Sequence, residues 1–117
     1  VAAQMGTGFL CCDEAGTSAS YRKMLLTEGS RPTQFTRGFS GRRAQGISNR
    51  FMAAMEHKPT LPFPIQNSLT DPIRQAAAKS DDVEFQSLWA GRSYAKTRSM
   101  PVADFMQTLG EEMKDSK

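Results

Sequence analysis

An apolar run broken by glycines, Val1-Ala2-Ala3-Gln4-Met5-Gly6-Thr7-Gly8-Phe9-Leu10, opens the chain and is followed closely by Asp13 and Glu14. Small and β-branched residues at 1 to 3 suit a strand buried on both faces, as in a parallel sheet, so the run reads as the last strand of a larger sheet. Gly6 and Gly8 let backbone N–H groups approach a ligand with no Cβ in the way. Consecutive N–H groups in such a turn form a nest for an anion, most often a phosphate, and Thr7 can add a hydroxyl donor. The same Gly-x-Gly spacing also occurs in turns that hold no ligand, so spacing alone leaves both readings open.

The length of 117 residues allows one small domain with a real core. It is far below the roughly 250 residues of a complete eight-stranded α/β barrel. With a buried strand at its very start, the chain is expected to be part of a longer protein whose other strands lie upstream. The formal charge of +3, from 15 basic and 12 acidic residues, says little about partners. Its distribution says more: Arg31, Arg37, Arg42, Arg43 and Arg50 have no acid among them, whereas Asp81, Asp82, Glu84, Glu111, Glu112 and Asp115 gather in the second half. The basic stretch either meets an anionic ligand or is a solvated loop paired with those later acids. Cys11 and Cys12 are adjacent, which disfavours a mutual bridge and does not make a metal site, so free thiols in a reducing compartment are expected. No apolar run is long enough for a membrane helix and no signal-peptide pattern is present, which leaves the cytoplasm as the default location.

Turn signals arrive at helix-sized intervals. Thr17 and Ser18 offer an N-cap to a helix in which Tyr21, Met24 and Leu25 recur as core, ended by Gly29 and Pro32. Residues 33–39 alternate loosely around Phe35 and Phe39, and residues 40–46 read as a basic loop. A helix is expected from Ser48 to about His57, with Ile47, Phe51 and Met55 as its buried ridge. His57 falls in its last turn, where a surface or capping role fits better than catalysis. Pro59, Pro62 and Pro64 make residues 58–64 an extended connector, either a plain linker or an excursion bringing Gln66, Asn67 and Ser68 near a ligand. Thr70-Asp71-Pro72 is expected to start a helix with Ile73, Ala76 and Ala77 on its packed face. Asp81-Asp82 should open another, with Phe85, Leu88 and Trp89 as an i, i+3, i+4 patch. Trp89 reads as core more readily than as a ring stacked on a cofactor. A last helix after Pro101 carries Val102, Phe105, Met106, Leu109 and Met113 on one face and ends in a polar, frayed tail from Glu111.

Four blocks occur in order: Gln-Met-Gly-Thr-x-Phe-Leu at 4 to 10, Ser-Gly-Arg-x-Ala-x-Gly-Ile-x-Asn-Arg-Phe at 40 to 51, Phe-Pro-Ile-Gln-Asn-Ser-Leu-Thr-Asp-Pro-Ile-Arg at 63 to 74, and Leu-Trp-Ala-Gly at 88 to 91. From Gln4 to about Leu109 the chain resembles the C-terminal third of the nitronate monooxygenases, flavin enzymes also called 2-nitropropane dioxygenases. The resemblance implies an α/β fold, the C-terminal part of an FMN-binding (β/α)8 TIM barrel, mostly helical within this chain. It also implies that Gln4, Met5, Gly6 and Thr7 bind the FMN phosphate, consistent with phosphate sites in the loops after the last strands of such barrels. Gln66, Asn67 and Ser68 become candidate polar groups at the substrate mouth. The family's catalytic histidine belongs to an earlier barrel loop, expected upstream of Val1, and no residue here matches it. The Leu-Trp-Ala-Gly block is commonly followed by glutamine in the family; here Arg92 stands there, either favouring a more anionic substrate or simply lying exposed.

The expected function is FMN-dependent oxidation of alkyl nitronates with molecular oxygen to a carbonyl compound and nitrite, this chain being inactive by itself. Partners would be the small-molecule nitronate, oxygen and the upstream part of the same barrel, with no nucleic acid, no membrane and no metal; a homodimer is compatible with the sequence. Two other readings stand beside it: a related FMN-dependent enoyl-thioester reductase, and a non-enzymatic basic helical module binding through the arginines. The organisation expected is a last barrel strand, phosphate-binding turn and following helix at residues 1–30, a loop and helical segment near the barrel mouth at 31–100, and a C-terminal helix at 101–117.

Overall fold

A computed structural model of the chain describes residues 2–27 and 31–115. Helix α1 (Ala19–Leu26) starts where Ser18 accepts the Tyr21 N–H at 3.3 Å, the cap expected from sequence, and buries Leu25 completely. Its expected stop at Gly29 lies outside the described residues. A two-stranded antiparallel sheet follows, β1 (Thr33–Thr36) paired with β2 (Ala44–Ile47) in the register Thr33 to Ile47 and Thr36 to Ala44. Helices α2 (Arg50–Met55), α3 (Ile65–Lys79) and α4 (Val102–Asp115) complete the set.

The sheet is not where the opening run was expected to put it. Residues 2–5 form no strand and are exposed, residues 7–9 close a 3-10 turn, and Val1 lies outside the described residues. A strand exists only as part of a ladder, and among the described residues this run has no ladder neighbour until Cys12 bridges Met100. The basic loop expected at 40–46 instead gives its second half to β2. That strand gains a further neighbour from residues 88–90: the Ile47 N–H bonds the Leu88 carbonyl at 2.9 Å and the Ala90 N–H the Gln45 carbonyl at 3.2 Å.

The helix expected from Asp81-Asp82 through Trp89 is therefore replaced by a short 3-10 turn (Val83–Phe85) and an extended segment. In that segment Leu88 and Ala90 point into one core cluster with Cys11, Leu25 and Ile47, while Trp89, with Phe85 ahead of it, packs against Phe39, Phe51 and Met52 in the other. Period-two alternation lets one strand feed two cores. Phe39 stacks on Phe51 with centroids 4.4 Å apart, and Trp89 meets it edge-on at 5.4 Å, so Trp89 is core as expected. Ile47 belongs to β2 rather than to the ridge of α2, which begins two residues later than expected, after Asn49 accepts the Met52 N–H. The amide of Asn49 also donates to the carbonyls of Val83 and Gln86, at 3.0 and 2.7 Å, tying α2 to the extended segment.

Helix α3 starts at Ile65, not Thr70, and carries Pro72 inside it. The missing Pro72 donor leaves only the carbonyl of exposed Ser68 without its helical bond, which water can satisfy. Its packed face is mainly polar. Gln66, Thr70 and Ala77 are buried, whereas Ile73 and Ala76, expected to pack, are exposed. Gln66 donates to the Gly38 carbonyl at 2.9 Å and accepts from the Leu61 N–H at 3.0 Å, while Thr70 donates to the Phe39 carbonyl. Helix α4 stays regular to Asp115, so the fraying expected from Glu111 is not seen there.

An ion pair fastens the sheet to the 83–85 turn. Arg31 holds the Glu84 carboxylate with both amino groups, at 3.0 and 2.6 Å, and the Arg50 N–H adds a third bond at 3.1 Å. The hydrogen bonds from Arg31 keep the Glu84 carboxyl below its ordinary value of 4.5. A carboxyl depressed on folding contributes stability above its unfolded pKa and loses it as pH falls through the folded one. Unfolding midpoints measured between pH 7 and 3 should therefore drop below about pH 4.5 in the unchanged protein. In Glu84→Gln this acid-side component, roughly 1 kcal/mol for a partly exposed pair, should be missing.

Candidate functional site

The turn that opens the chain forms one wall of a cleft of about 330 Å³. The Phe9 N–H bonds the Gly6 carbonyl and the Leu10 N–H the Thr7 carbonyl, both at 3.1 Å. Those bonds close the turn and leave the N–H groups of Thr7 and Gly8 at its start with no acceptor among the described residues. The hydroxyl oxygen of Thr7 accepts the Gly91 N–H at 2.9 Å, so the hydroxyl proton stays free to donate. A Cβ added to Gly6 would meet nothing within 4 Å, which marks open space beside the turn. Gly8 is constrained instead: a Cβ there would lie 3.1 Å from Met5 Cε and 3.2 Å from Phe105 Cζ.

The opposite wall comes from residues 91–98 and from α4. Phe105 is buried against the edge of Phe9, with centroids 5.0 Å apart, and supplies the apolar floor. Two contacts hold α4 against the opening segment: the Asp13 N–H bonds the Met100 carbonyl at 3.1 Å, and the Glu14 carboxylate caps the Val102 N–H at 3.0 Å. Arg22 fixes the intervening loop by donating to the carbonyls of Cys12, Ala15 and Thr17. Lys96 and Arg98 bring positive charge to the cleft and Glu112 negative charge, with Arg98 Nη2 2.8 Å from Glu112 Oε1.

Gln4, Met5, Gly6 and Thr7 all line this cleft. Gln66, Asn67 and Ser68 are not among its lining residues, and the Gln66 amide is already committed to Gly38 and Leu61. Arg92 is exposed and faces another hollow with Arg31 and Pro32, although its neighbours Gly91 and Ser93 do line the cleft. The arginines of the basic stretch do not converge on the cleft either. Arg42 lies 4.0 Å over Phe63 and Arg43 3.9 Å over Phe35, each covering an exposed ring. His57, just past α2 with φ +63°, is exposed beside Glu56. Cys11 and Cys12 are free and buried; burial pushes both thiols up, so they act as packing groups rather than nucleophiles. Among the described residues no group of side chains could hold a metal ion, and no helix is long and apolar enough to cross a membrane.

Sequence reasoning missed Lys96, Arg98 and Glu112. They sit in stretches with no motif, and only the fold makes them line the same cleft as the turn. Gly91 was within reach, because the Leu-Trp-Ala-Gly block ends on it.

The family model described as nitronate monooxygenase matches residues 1–112. The nitronate monooxygenase of Pseudomonas aeruginosa is 37% identical over 116 residues, covering 97% of this chain and 33% of that protein. A probable nitronate monooxygenase of Staphylococcus aureus is 36% identical over 108 residues, 91% of this chain and 30% of that protein. Among solved structures, the nitroalkane oxidase of Streptomyces ansochromogenes superposes with a TM-score of 0.92 at 34% identity, over 97% of this chain and 33% of that one. The chain spans about a third of the length of the curated relatives it matches. Its α/β, helix-rich fold is that of the matching third of the solved enzyme.

Proposed function

Because the chain belongs to the nitronate monooxygenase family, we propose that it forms the flavin-phosphate side of an FMN-dependent oxidoreductase that oxidises alkyl nitronates with molecular oxygen to a carbonyl compound and nitrite. In this reading it is the C-terminal part of the enzyme, and the catalytic histidine lies in the upstream part of the same barrel. The observation that carries the reading is the cleft at Gln4 to Thr7, with unpaired N–H groups, a free hydroxyl proton and two cations around it.

Those groups fit a phosphate. The N–H groups of Thr7 and Gly8 and the Thr7 hydroxyl are donors without competing acceptors, and Gly6 leaves room beside them. Gln4, Met5, Gly6 and Thr7 would hold the phosphate end of FMN, whose ring supplies the electron-transfer chemistry when bound. The contribution of these residues is binding and orientation. Two free, buried cysteines suit a reducing compartment, and on that ground we place the protein in the cytoplasm.

The test is the visible spectrum of the protein purified with all of its residues, followed by oxygen uptake and nitrite release with an alkyl nitronate. Flavin bands and nitronate-dependent oxygen uptake are expected. A protein that stays colourless when FMN is added would sink the proposal. Thr7→Val removes one donor to the phosphate and the acceptor for the Gly91 N–H, and should weaken FMN binding about tenfold, close to 1.4 kcal/mol. Flavin fluorescence titration measures it, and an unchanged Kd would remove Thr7 from the site.

A further inference from the structure

We propose that Lys96, Arg98 and Glu112 set the charge selectivity of the cleft: Lys96 and Arg98 neutralise a phosphomonoester dianion, and Glu112 competes with that dianion for Arg98. The inference rests on the flavin reading above and adds residues that neither the motif at 4 to 10 nor the family resemblance points to.

Lys96 and Arg98 are the basic side chains lining the cleft, and they differ in how they are held. Arg98 is committed to Glu112 at 2.8 Å, whereas Lys96 has no ion-pair partner among the described residues. Lys96 ends a 3-10 turn (Tyr94–Lys96) whose first residue is buried and bonded through its hydroxyl to the Arg31 carbonyl, so the backbone beneath Lys96 is anchored. Arg98 comes from the segment that reaches Met100, itself bridged to Cys12. Glu112 stands two turns after buried Phe105, on the helix whose start Glu14 caps.

One free cation, one shared cation and one carboxylate leave the cleft a single net positive charge before any ligand enters. A phosphomonoester carries about two negative charges near neutral pH, so its best balance has both cations on the phosphate. A guanidinium has five N–H donors and can turn part of its fork from Glu112 to a phosphate, but the nearby carboxylate then repels the incoming charge. Arg98 and Glu112 should therefore act in opposite directions on anion binding. A purely structural ion pair would behave differently, because loss of either partner would damage the cleft in the same sense.

The experiment titrates FMN, riboflavin and inorganic phosphate against the full protein and its Lys96→Gln, Arg98→Gln, Arg98→Lys and Glu112→Gln variants, with flavin fluorescence and thermal melting as readouts. Lys96→Gln and Arg98→Gln should each weaken FMN about tenfold and leave riboflavin, which lacks the phosphate, within about twofold. Arg98→Lys should recover most of the loss, and Glu112→Gln should tighten FMN a few-fold, with a smaller gain at high salt. If Glu112→Gln weakens FMN, or if the cation variants weaken riboflavin as much as FMN, the charge-selection proposal is overturned while the flavin reading stands. If the unchanged protein binds neither flavin, the flavin reading fails. The phosphate arm then decides the charge proposal: a melting shift with inorganic phosphate that Arg98→Gln abolishes supports it, and no shift rejects it.

Discussion

Phe39→Ala should remove about 3–5 kcal/mol of stability, the largest single loss expected in this chain. Phe39 has no exposed surface, stacks on Phe51 at 4.4 Å and receives the edge of Trp89 at 5.4 Å. Truncation forfeits the transfer energy of the ring and leaves a hole between two other rings, which cannot both move in, because each is fixed from a different direction. Phe51 is carried by α2 and Trp89 by the segment paired to β2. The carbonyl of Phe39 also accepts from Thr70, so the backbone there cannot relax without releasing α3. Urea unfolding of the unchanged and substituted proteins measures the difference, and Phe39→Leu should lose clearly less. A loss below about 1 kcal/mol would mean that this cluster is not packed as described.

Gly46→Val is the second large effect, and it reaches the site. A Cβ built on Gly46 would lie 2.9 Å from the Leu88 carbonyl oxygen and 3.2 Å from the Trp89 ring. One of these neighbours is backbone in the ladder between β2 and residues 88–90, so relief requires the strands to part. Overpacking of this kind costs about 1–3 kcal/mol, and the lost ladder bonds add to it. The displaced segment runs directly into Gly91, whose N–H holds Thr7. The expected result is a lower unfolding midpoint together with, on the flavin reading proposed above, weaker FMN binding, although the substituted residue does not line the cleft. Destabilisation with an unchanged FMN Kd would show that the turn at Thr7 is independent of the sheet.

These two residues show what could be anticipated and what could not. The loose alternation around Phe35 and Phe39 did not separate the two rings: Phe35 is exposed under Arg43, and Phe39 enters the core. Gly46 looked like part of a basic loop, since nothing in Ala44-Gln45-Gly46-Ile47 announces a strand; its character comes from two neighbours, one at Gln34, earlier in the chain, and the other at Trp89. Phe85, Leu88 and Trp89 have a spacing that fits one helix face and also an alternating strand. Such short apolar runs stay ambiguous until pairing partners are known. The opening run is the reverse case: it has strand composition, but among the described residues no strand pairs with it.

What the sequence determined by itself was local or carried by ordered motifs. The Ser18 cap of α1, the rigid proline connector, the unbridged adjacent thiols and the tight turn at Gly6 to Gly8 each depend on sterics and hydrogen bonding within a few residues. The four ordered blocks are enough by themselves to point to the family. Tertiary structure alone decided which segments pair, which face of α3 is packed, and that Lys96, Arg98 and Glu112 line the same cleft as the turn. The reason is physical: caps and turns are satisfied by neighbours in sequence, whereas a ladder bond, a buried ring or a shared guanidinium needs a partner brought from far along the chain, and several partners would satisfy the same local pattern.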